Sequence, residues 1–141
     1  MTRRDAREAA FVALFQMDVG RASAESAIET ALRGRRIGEK NLEYLRSAVL
    51  GARKHRESID KTVSRLAIGW SLDRMSAVDR NLLRLAVYEI LHLDDVPVNV
   101  SINEAVALAK KFGGDESGKF VNGILGRLAR ELVENPEGVG E

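Results

Sequence analysis

Apolar residues recur every three or four positions along most of this chain, which is the spacing of the buried face of an α-helix. Hydroxyl residues that can cap a helix stand before three of these segments, at Thr2, Ser23 and Ser76. A carboxylate follows two of them at the third position, Asp5 after Thr2 and Asp79 after Ser76, which is the form of a capping box. The pattern predicts about seven helices joined by short loops.

One predicted helix is apolar around most of its circumference. Between 82 and 91, eight of ten residues are apolar, which covers more than one face. A helix of this kind belongs at the centre of a fold. Pro97 cannot continue it, and residues 96–100 are the one credible strand. Ser101 with Glu104 forms a further capping box, which predicts that the next helix begins at Ser101.

These elements predict an all-α fold, a compact bundle of about seven helices in two three-helix-like halves. The length of 141 residues is that of one ordinary domain. We therefore expect a single helical domain over 1–141, with halves at 1–70 and 71–135 and an acidic tail at 136–141.

Several classes of protein are excluded by what the sequence lacks. There is no cysteine, and His55 and His92 fall on different predicted helices, so we expect no metal site and no catalytic residue. No glycine-rich phosphate loop follows a strand, so we expect no nucleotide cofactor. No apolar window is long enough to span a membrane, and Asp5 and Glu8 are not typical of a signal peptide. We expect a cytoplasmic, non-enzymatic protein.

Charge is unevenly distributed although the net charge is only +1. Residues 33–56 carry eight Lys or Arg and two Glu, whereas residues 85–109 carry four carboxylates and no Lys or Arg. Separate surfaces of opposite sign could bind a polyanion and a basic partner. Such runs are equally typical of solvated helix faces, and the sequence leaves both interpretations open.

The first helix carries arginines where its dipole disfavours cations, at Arg3, Arg4 and Arg7. One interpretation is that they contact phosphates. The other is that Asp5 and Glu8 pair with them.

Further candidates lie near the end of the chain. Lys110, Lys111 and Lys119 flank a Gly-Gly loop and would extend a basic patch if the two termini meet in space. Phe15 and Phe120 are candidate stacking platforms for unpaired bases, although aromatic residues at helical spacing are more often part of the core.

Three segments together resemble the NusB family of transcription antitermination factors. They are RRDAREAA with ALF within 3–15, SAVDRNLLRLAVYE at 76–89, and a C-terminal signature within 96–123 that contains INEA, AKKFG and KFVNG. The resemblance covers nearly the whole chain and implies an all-helical fold. It also implies binding of the boxA element of ribosomal RNA operon leaders together with NusE, a small-subunit ribosomal protein. The complex would join elongating RNA polymerase with other Nus factors and suppress premature termination.

The resemblance assigns roles residue by residue. Asp5 stands where some members have another arginine, which would weaken RNA binding, and Phe15 stands where a relative has tyrosine. The acid-rich stretch 89–104 would offer a docking place for a basic partner. The RNA-binding set is Arg3, Arg4, Arg7, Phe15, Lys110, Lys111 and Lys119, and the partner-binding set is Asp79, Glu116 and Phe120.

Two alternatives remain at this point. A similar helical domain is fused to RNA cytosine methyltransferases, but this sequence lacks a catalytic cysteine and a glycine-rich cofactor loop, so we expect no methyl transfer by it. The second alternative is a homodimeric interaction module in which the second copy covers the RNA face.

Overall fold

Seven α-helices make up most of residues 1–135, the part of the chain that the computed structural model describes. They are α1 (Arg3–Val19), α2 (Ala24–Leu32), α3 (Glu39–Lys54), α4 (Arg56–Leu66), α5 (Ala77–His92), α6 (Val98–Gly113) and α7 (Asp115–Glu134), with a 3-10 turn at Leu72–Arg74. The all-α prediction is confirmed. The halves at 1–70 and 71–135 stay a prediction, and the acidic tail predicted at 136–141 lies outside the described residues.

Local capping explains where the predicted helices begin. At α1 the Thr2 hydroxyl accepts a hydrogen bond from the Asp5 backbone N–H at 3.1 Å, and the Asp5 carboxylate accepts one from the Thr2 N–H at 2.9 Å. Ser23 caps α2 in the same way, and Ser76 caps α5 by accepting from the Asp79 N–H. These contacts satisfy N–H groups that have no partner inside the helix.

The predicted start of α6 was wrong. The helix begins at Val98 with Pro97 as its N-cap, so residues 98–100 of the predicted strand form its first turn. Proline suits this place because its fixed φ is compatible with the helix and it has no N–H to leave unsatisfied. Ser101 lies inside the helix, where it is buried and donates its hydroxyl proton to Glu89 at 3.2 Å.

Helix α5 is the centre of the bundle, as its pattern predicted. All nine residues from 81 to 89 are buried, and α1, α3, α4, α6 and α7 pack around it. Within the described part of the chain, every helix is too short or too polar to cross a bilayer. Because α5 places Glu89 beneath α1, the central helix also organises the charged residues of the candidate site.

Candidate nucleic-acid interface

The most buried of the predicted site residues is Arg7, which lies inside the fold. The residue is 4% exposed and forms a two-pronged ion pair with Glu89, with nitrogen–oxygen distances of 2.9 and 3.0 Å. The Tyr44 hydroxyl donates to the same carboxylate at 2.7 Å, and Ser101 donates at 3.2 Å. We call these four residues the interior network.

The charges in the interior network are held in defined protonation states. Burial by itself would lower the pKa of Arg7, but hydrogen bonds and charge from Glu89 raise that pKa above its ordinary value. Burial raises the pKa of Tyr44, and the charge of Glu89 raises it further. Arg7 therefore stays a cation and Tyr44 a neutral donor. Because Arg7 has its donors turned inward, it is not available to a phosphate in this conformation.

Arg3 and Arg4 differ from Arg7 because they reach the surface. Arg4, whose side chain is 74% exposed, donates two hydrogen bonds to Glu104 at 3.0 and 2.7 Å. Arg3 is half-buried, donates from Nε to Asn41 at 3.0 Å, and its guanidinium lies 4.5 Å from the centre of the Tyr44 ring. The hydrogen bond from Arg4 lowers the pKa of Glu104, so this carboxylate stays ionised.

Of the two interpretations of these arginines, pairing with Asp5 and Glu8 is wrong for a geometric reason. Asp5 is held in the capping box, and Glu8 accepts from Lys111 at 2.6 Å. The carboxylates that do pair with α1 arginines, Glu89 and Glu104, come from α5 and α6. Two of the four carboxylates in the predicted acidic docking stretch 89–104 are therefore already paired, whereas Asp94 and Asp95 are exposed, and docking of a basic partner there stays a prediction.

The end of α6 lies against α1 and brings basic residues from the two ends of the chain together. The Phe112 ring lies 5.1 Å from that of Phe11, and Lys111 lies 5.4 Å from the Phe112 ring centre. The Lys110 side chain packs over Gly118 of α7, where an added Cβ would lie 2.7 Å from Lys110 Cγ. The exposed Lys111 amine therefore lies at the surface of α1, whereas the Lys110 side chain lies over α7.

Lys119 lines a concave surface between the end of α4 and helix α7. Its floor and rim include Trp70 and Phe120, whose rings meet edge to face at 6.1 Å. Arg127 also lines it, and the Arg74 guanidinium lies 5.6 Å from the Trp70 ring. An aromatic pair bordered by cations can hold an unpaired base by stacking and a phosphate by charge.

Aromatic residues were the weakest part of the sequence prediction. Phe15 is half-buried against Phe11, with ring centres 6.1 Å apart, so only part of it faces solvent. Trp70 and Phe112 were not selected, although they are 49% and 41% exposed. The one signal for Trp70 was its position directly after a helix-ending glycine, Gly69, in a polar segment.

The three residues predicted to face a partner lie near the start of α5 or on α7. One carboxylate oxygen of Asp79 is buried and has no hydrogen-bond partner within residues 1–135. Burial raises the pKa of Asp79, and the hydroxyls of Ser117 and Ser76 oppose that shift. Glu116 is exposed, and its carboxylate lies 3.6 Å from the Lys119 amine. Phe120 is half-buried against Trp70.

The two histidines, which the sequence placed on different helices, meet in the fold. Their rings stack with centres 4.2 Å apart beside Tyr88, an arrangement that does not direct both lone pairs at one point. Burial lowers the pKa of His92. Across residues 1–135, no cluster of three or more His, Cys, Asp or Glu side chains is placed to hold a metal ion.

Comparison with known proteins finds one family along nearly the whole chain. The NusB family model matches residues 4–130. The transcription antitermination protein NusB of Heliobacterium modesticaldum is 50% identical over 95% of this chain, which spans 65% of that protein's length. The structure of T. maritima NusB has a TM-score of 0.86 and 44% identity, covering 93% of this chain and 92% of the other. A crystal structure of the antitermination factors NusB and NusE in complex with dsRNA has a TM-score of 0.83 and 29% identity, covering 91% and 96%.

Proposed function

Because the chain belongs to the NusB family, we propose that it is a transcription antitermination factor that binds boxA RNA of ribosomal RNA operon leaders together with NusE. In this role it joins elongating RNA polymerase with other Nus factors in the cytoplasm and suppresses premature termination. The protein works by binding and is not an enzyme. The observation that carries the proposal is the family match over 4–130, supported by the shared fold with the NusB–NusE–dsRNA complex.

The surface at the start of α1 supports the RNA part of this proposal. Arg3 and Arg4 face solvent in the first turn, and Lys111 joins them from α6. Arginine and lysine side chains at a surface neutralise phosphates, and single-stranded RNA also offers unpaired bases to aromatic rings. We assign the phosphate contacts to Arg3, Arg4, Lys110, Lys111 and Lys119, and base stacking to Phe15. Arg7 is left out because it is committed to Glu89.

The NusE side of the proposal is assigned to Asp79, Glu116 and Phe120. An RNA-binding ribosomal protein is itself basic, so the carboxylates of Asp79 and Glu116 would attract it. Docking of a basic partner there would leave the α1 surface free for RNA.

Fluorescence anisotropy of a labelled boxA RNA, titrated with this protein alone and with NusE, tests the proposal. We expect NusE to tighten binding to boxA, and a scrambled RNA of the same length to show no such gain. Absence of binding to either RNA with NusE present would contradict the proposal and favour the homodimer. Light scattering at several protein concentrations would then report a second copy.

The partner assignment has its own test in Asp79→Asn. We expect weaker binding to NusE in a pull-down titration and unchanged binding to RNA alone. The raised pKa of Asp79 means that its carboxylate opposes folding at neutral pH, and that this cost disappears below the ordinary value of 3.8. The unfolding midpoint of the variant should therefore not fall at neutral pH. A lowered midpoint with unchanged NusE affinity would contradict the assignment.

A further inference from the structure

The loop between α2 and α3 is a strongly basic short segment of the chain. Arg33, Arg35 and Arg36 lie within four consecutive residues, and Lys40 follows in the first turn of α3. All four side chains are exposed, against one carboxylate at Glu39. Neither the core nor a described neighbour accounts for such a concentration of charge.

The loop is held in place. The Arg35 backbone N–H donates to the Leu32 carbonyl at 3.0 Å, and Ile37 packs against the hydrophobic core. Gly34 takes a φ of 73°, a left-handed conformation that turns the chain out of α2. The arginines therefore project from a defined backbone, so binding a ligand costs little backbone freedom.

The loop lies directly against the first turn of α1. Asn41 of α3 accepts from Arg3 at 3.0 Å and donates to the Met1 carbonyl at 3.0 Å. The Arg35 guanidinium lies 3.9 Å from the Asp5 carboxylate. The loop cations and the α1 arginines thus form one continuous surface.

Most cations of this surface are free for a ligand. Within residues 1–135, Arg33, Arg36 and Lys40 have no carboxylate within ion-pair distance. Among the same residues, the Arg35 side chain forms one ion pair, with Asp5, which is exposed and at the long limit for such a pair. Exposed arginines without a surrounding apolar patch suit a phosphate backbone better than a protein interface, whose centre is apolar.

We propose that the α2–α3 loop, Arg33, Arg35 and Arg36 with Lys40, is a second phosphate-binding segment. It extends the RNA surface of α1, so that single-stranded nucleotides flanking the boxA core run across the start of α3. This inference rests on the proposed function, since it needs RNA to be bound at α1. The loop would lengthen the stretch of RNA that the protein contacts, through phosphate contacts that do not depend on base sequence.

The test compares a loop variant, Arg33→Ala with Arg35→Ala and Arg36→Ala, with a matched control. The control is Arg53→Ala with Lys54→Ala and Arg130→Ala, which removes the same charge from exposed positions. Arg53 is about 21 Å from the start of α3 at 1.5 Å per residue. Each protein is titrated, with NusE present, against the boxA core and against the core with six added nucleotides on either side. Circular dichroism melting verifies the fold of each variant.

We expect wild type to bind the extended RNA more tightly than the core, and the loop variant to lose that gain. The slope of log affinity against log salt should flatten by about 0.7 for each phosphate contact that is lost. A charge-preserving variant, Arg33→Lys with Arg35→Lys and Arg36→Lys, should keep most of the gain.

Two results would overturn the inference while leaving the proposed function intact. In the first, the loop variant binds both RNAs as tightly as wild type does. In the second, the control variant loses as much affinity for the extended RNA as the loop variant does, which would indicate a general effect of net charge. Failure of wild type to bind either RNA would instead refute the proposed function, and the loop proposal with it.

Discussion

Two arginines three residues apart on α1 have opposite environments. Arg7 points into the core and pairs with Glu89, whereas Arg4 points to solvent and pairs with Glu104. The two pairs are joined, because Glu104 also lies 3.5 Å from Arg7. Neighbouring residues of α1 thus divide between the interior network and the surface that we propose binds RNA.

The difference teaches that charge type alone does not assign a function. Removing one partner of a buried ion pair leaves a charge without compensation, so Arg7 and Glu89 depend on each other for the stability of the fold. An exposed pair contributes little to stability and can exchange its carboxylate for a phosphate at small cost. We therefore expect changes at the two sites to separate unfolding from loss of RNA binding.

The largest expected effect is that of Arg7→Ala. The substitution leaves the buried Glu89 carboxylate without its cation and should lower the free energy of unfolding by about 3–5 kcal/mol. Urea denaturation followed by circular dichroism measures it. Unchanged stability with a loss of RNA affinity would contradict the division between the interior network and the RNA surface.

A double variant separates folding from binding if Arg7→Ala does not fold. Arg7→Met with Glu89→Leu removes both charges and fills the space with apolar atoms, which should recover part of the lost stability. Because Arg7 makes no phosphate contact in our assignment, the folded double variant should bind boxA RNA with the salt slope of wild type.

A smaller loss of stability is expected for Tyr44→Phe. This removes one hydroxyl that donates to Glu89 at 2.7 Å, and a hydrogen bond to a charged group is worth about 1.5–3 kcal/mol. The ring remains beneath the Arg3 guanidinium, so the RNA surface is unchanged. Urea denaturation and anisotropy should report a stability loss with equal RNA affinity. Reduced affinity in a folded variant would mean that the hydroxyl acts on the RNA surface.

Local features of the fold could be read from the sequence and distant ones could not. The capping box at Thr2 and Asp5 was predictable because both partners lie within one turn. The same pattern at Ser101 and Glu104 failed, because the Ser101 hydroxyl finds Glu89 in the core and Glu104 turns to the α1 arginines. A short sequence motif therefore cannot predict which of its side chains will bind residues of a distant helix instead of capping their own.

The candidate site follows the same rule. Exposure of Arg4 and burial of Arg7 depend on carboxylates 100 and 82 residues away in sequence, and nothing in the spacing of α1 distinguishes the two arginines. Trp70 was missed because its exposure depends on the packing of Phe120 from α7. The family resemblance gave the RNA-binding role, but which arginine would be buried required the fold.

The expected effect of Arg4→Ala is on binding alone. The unfolding midpoint should match wild type because the side chain is exposed and Glu104 keeps Arg7 as a neighbour. Loss of one phosphate contact should flatten the salt slope for boxA RNA by about 0.7. Arg130→Ala, an exposed cation on α7, is the control and should leave the slope unchanged. Equal slopes for wild type and Arg4→Ala would remove Arg4 from the RNA surface.

The smallest expected effect is an improvement, in Asp5→Asn. The hydrogen bonds from Thr2 lower the pKa of Asp5, so this carboxylate carries its charge within the basic surface at all physiological pH values. The amide keeps an oxygen for the Thr2 N–H but removes the charge that opposes RNA and holds Arg35. Anisotropy at several salt concentrations should therefore show tighter binding at low ionic strength. The gain should shrink as the screening length falls from about 30 Å at 0.01 M to about 10 Å at 0.1 M. Weaker binding with an unchanged melting curve would mean that Asp5 positions Arg35 for RNA, so that its charge supports RNA binding instead of opposing it.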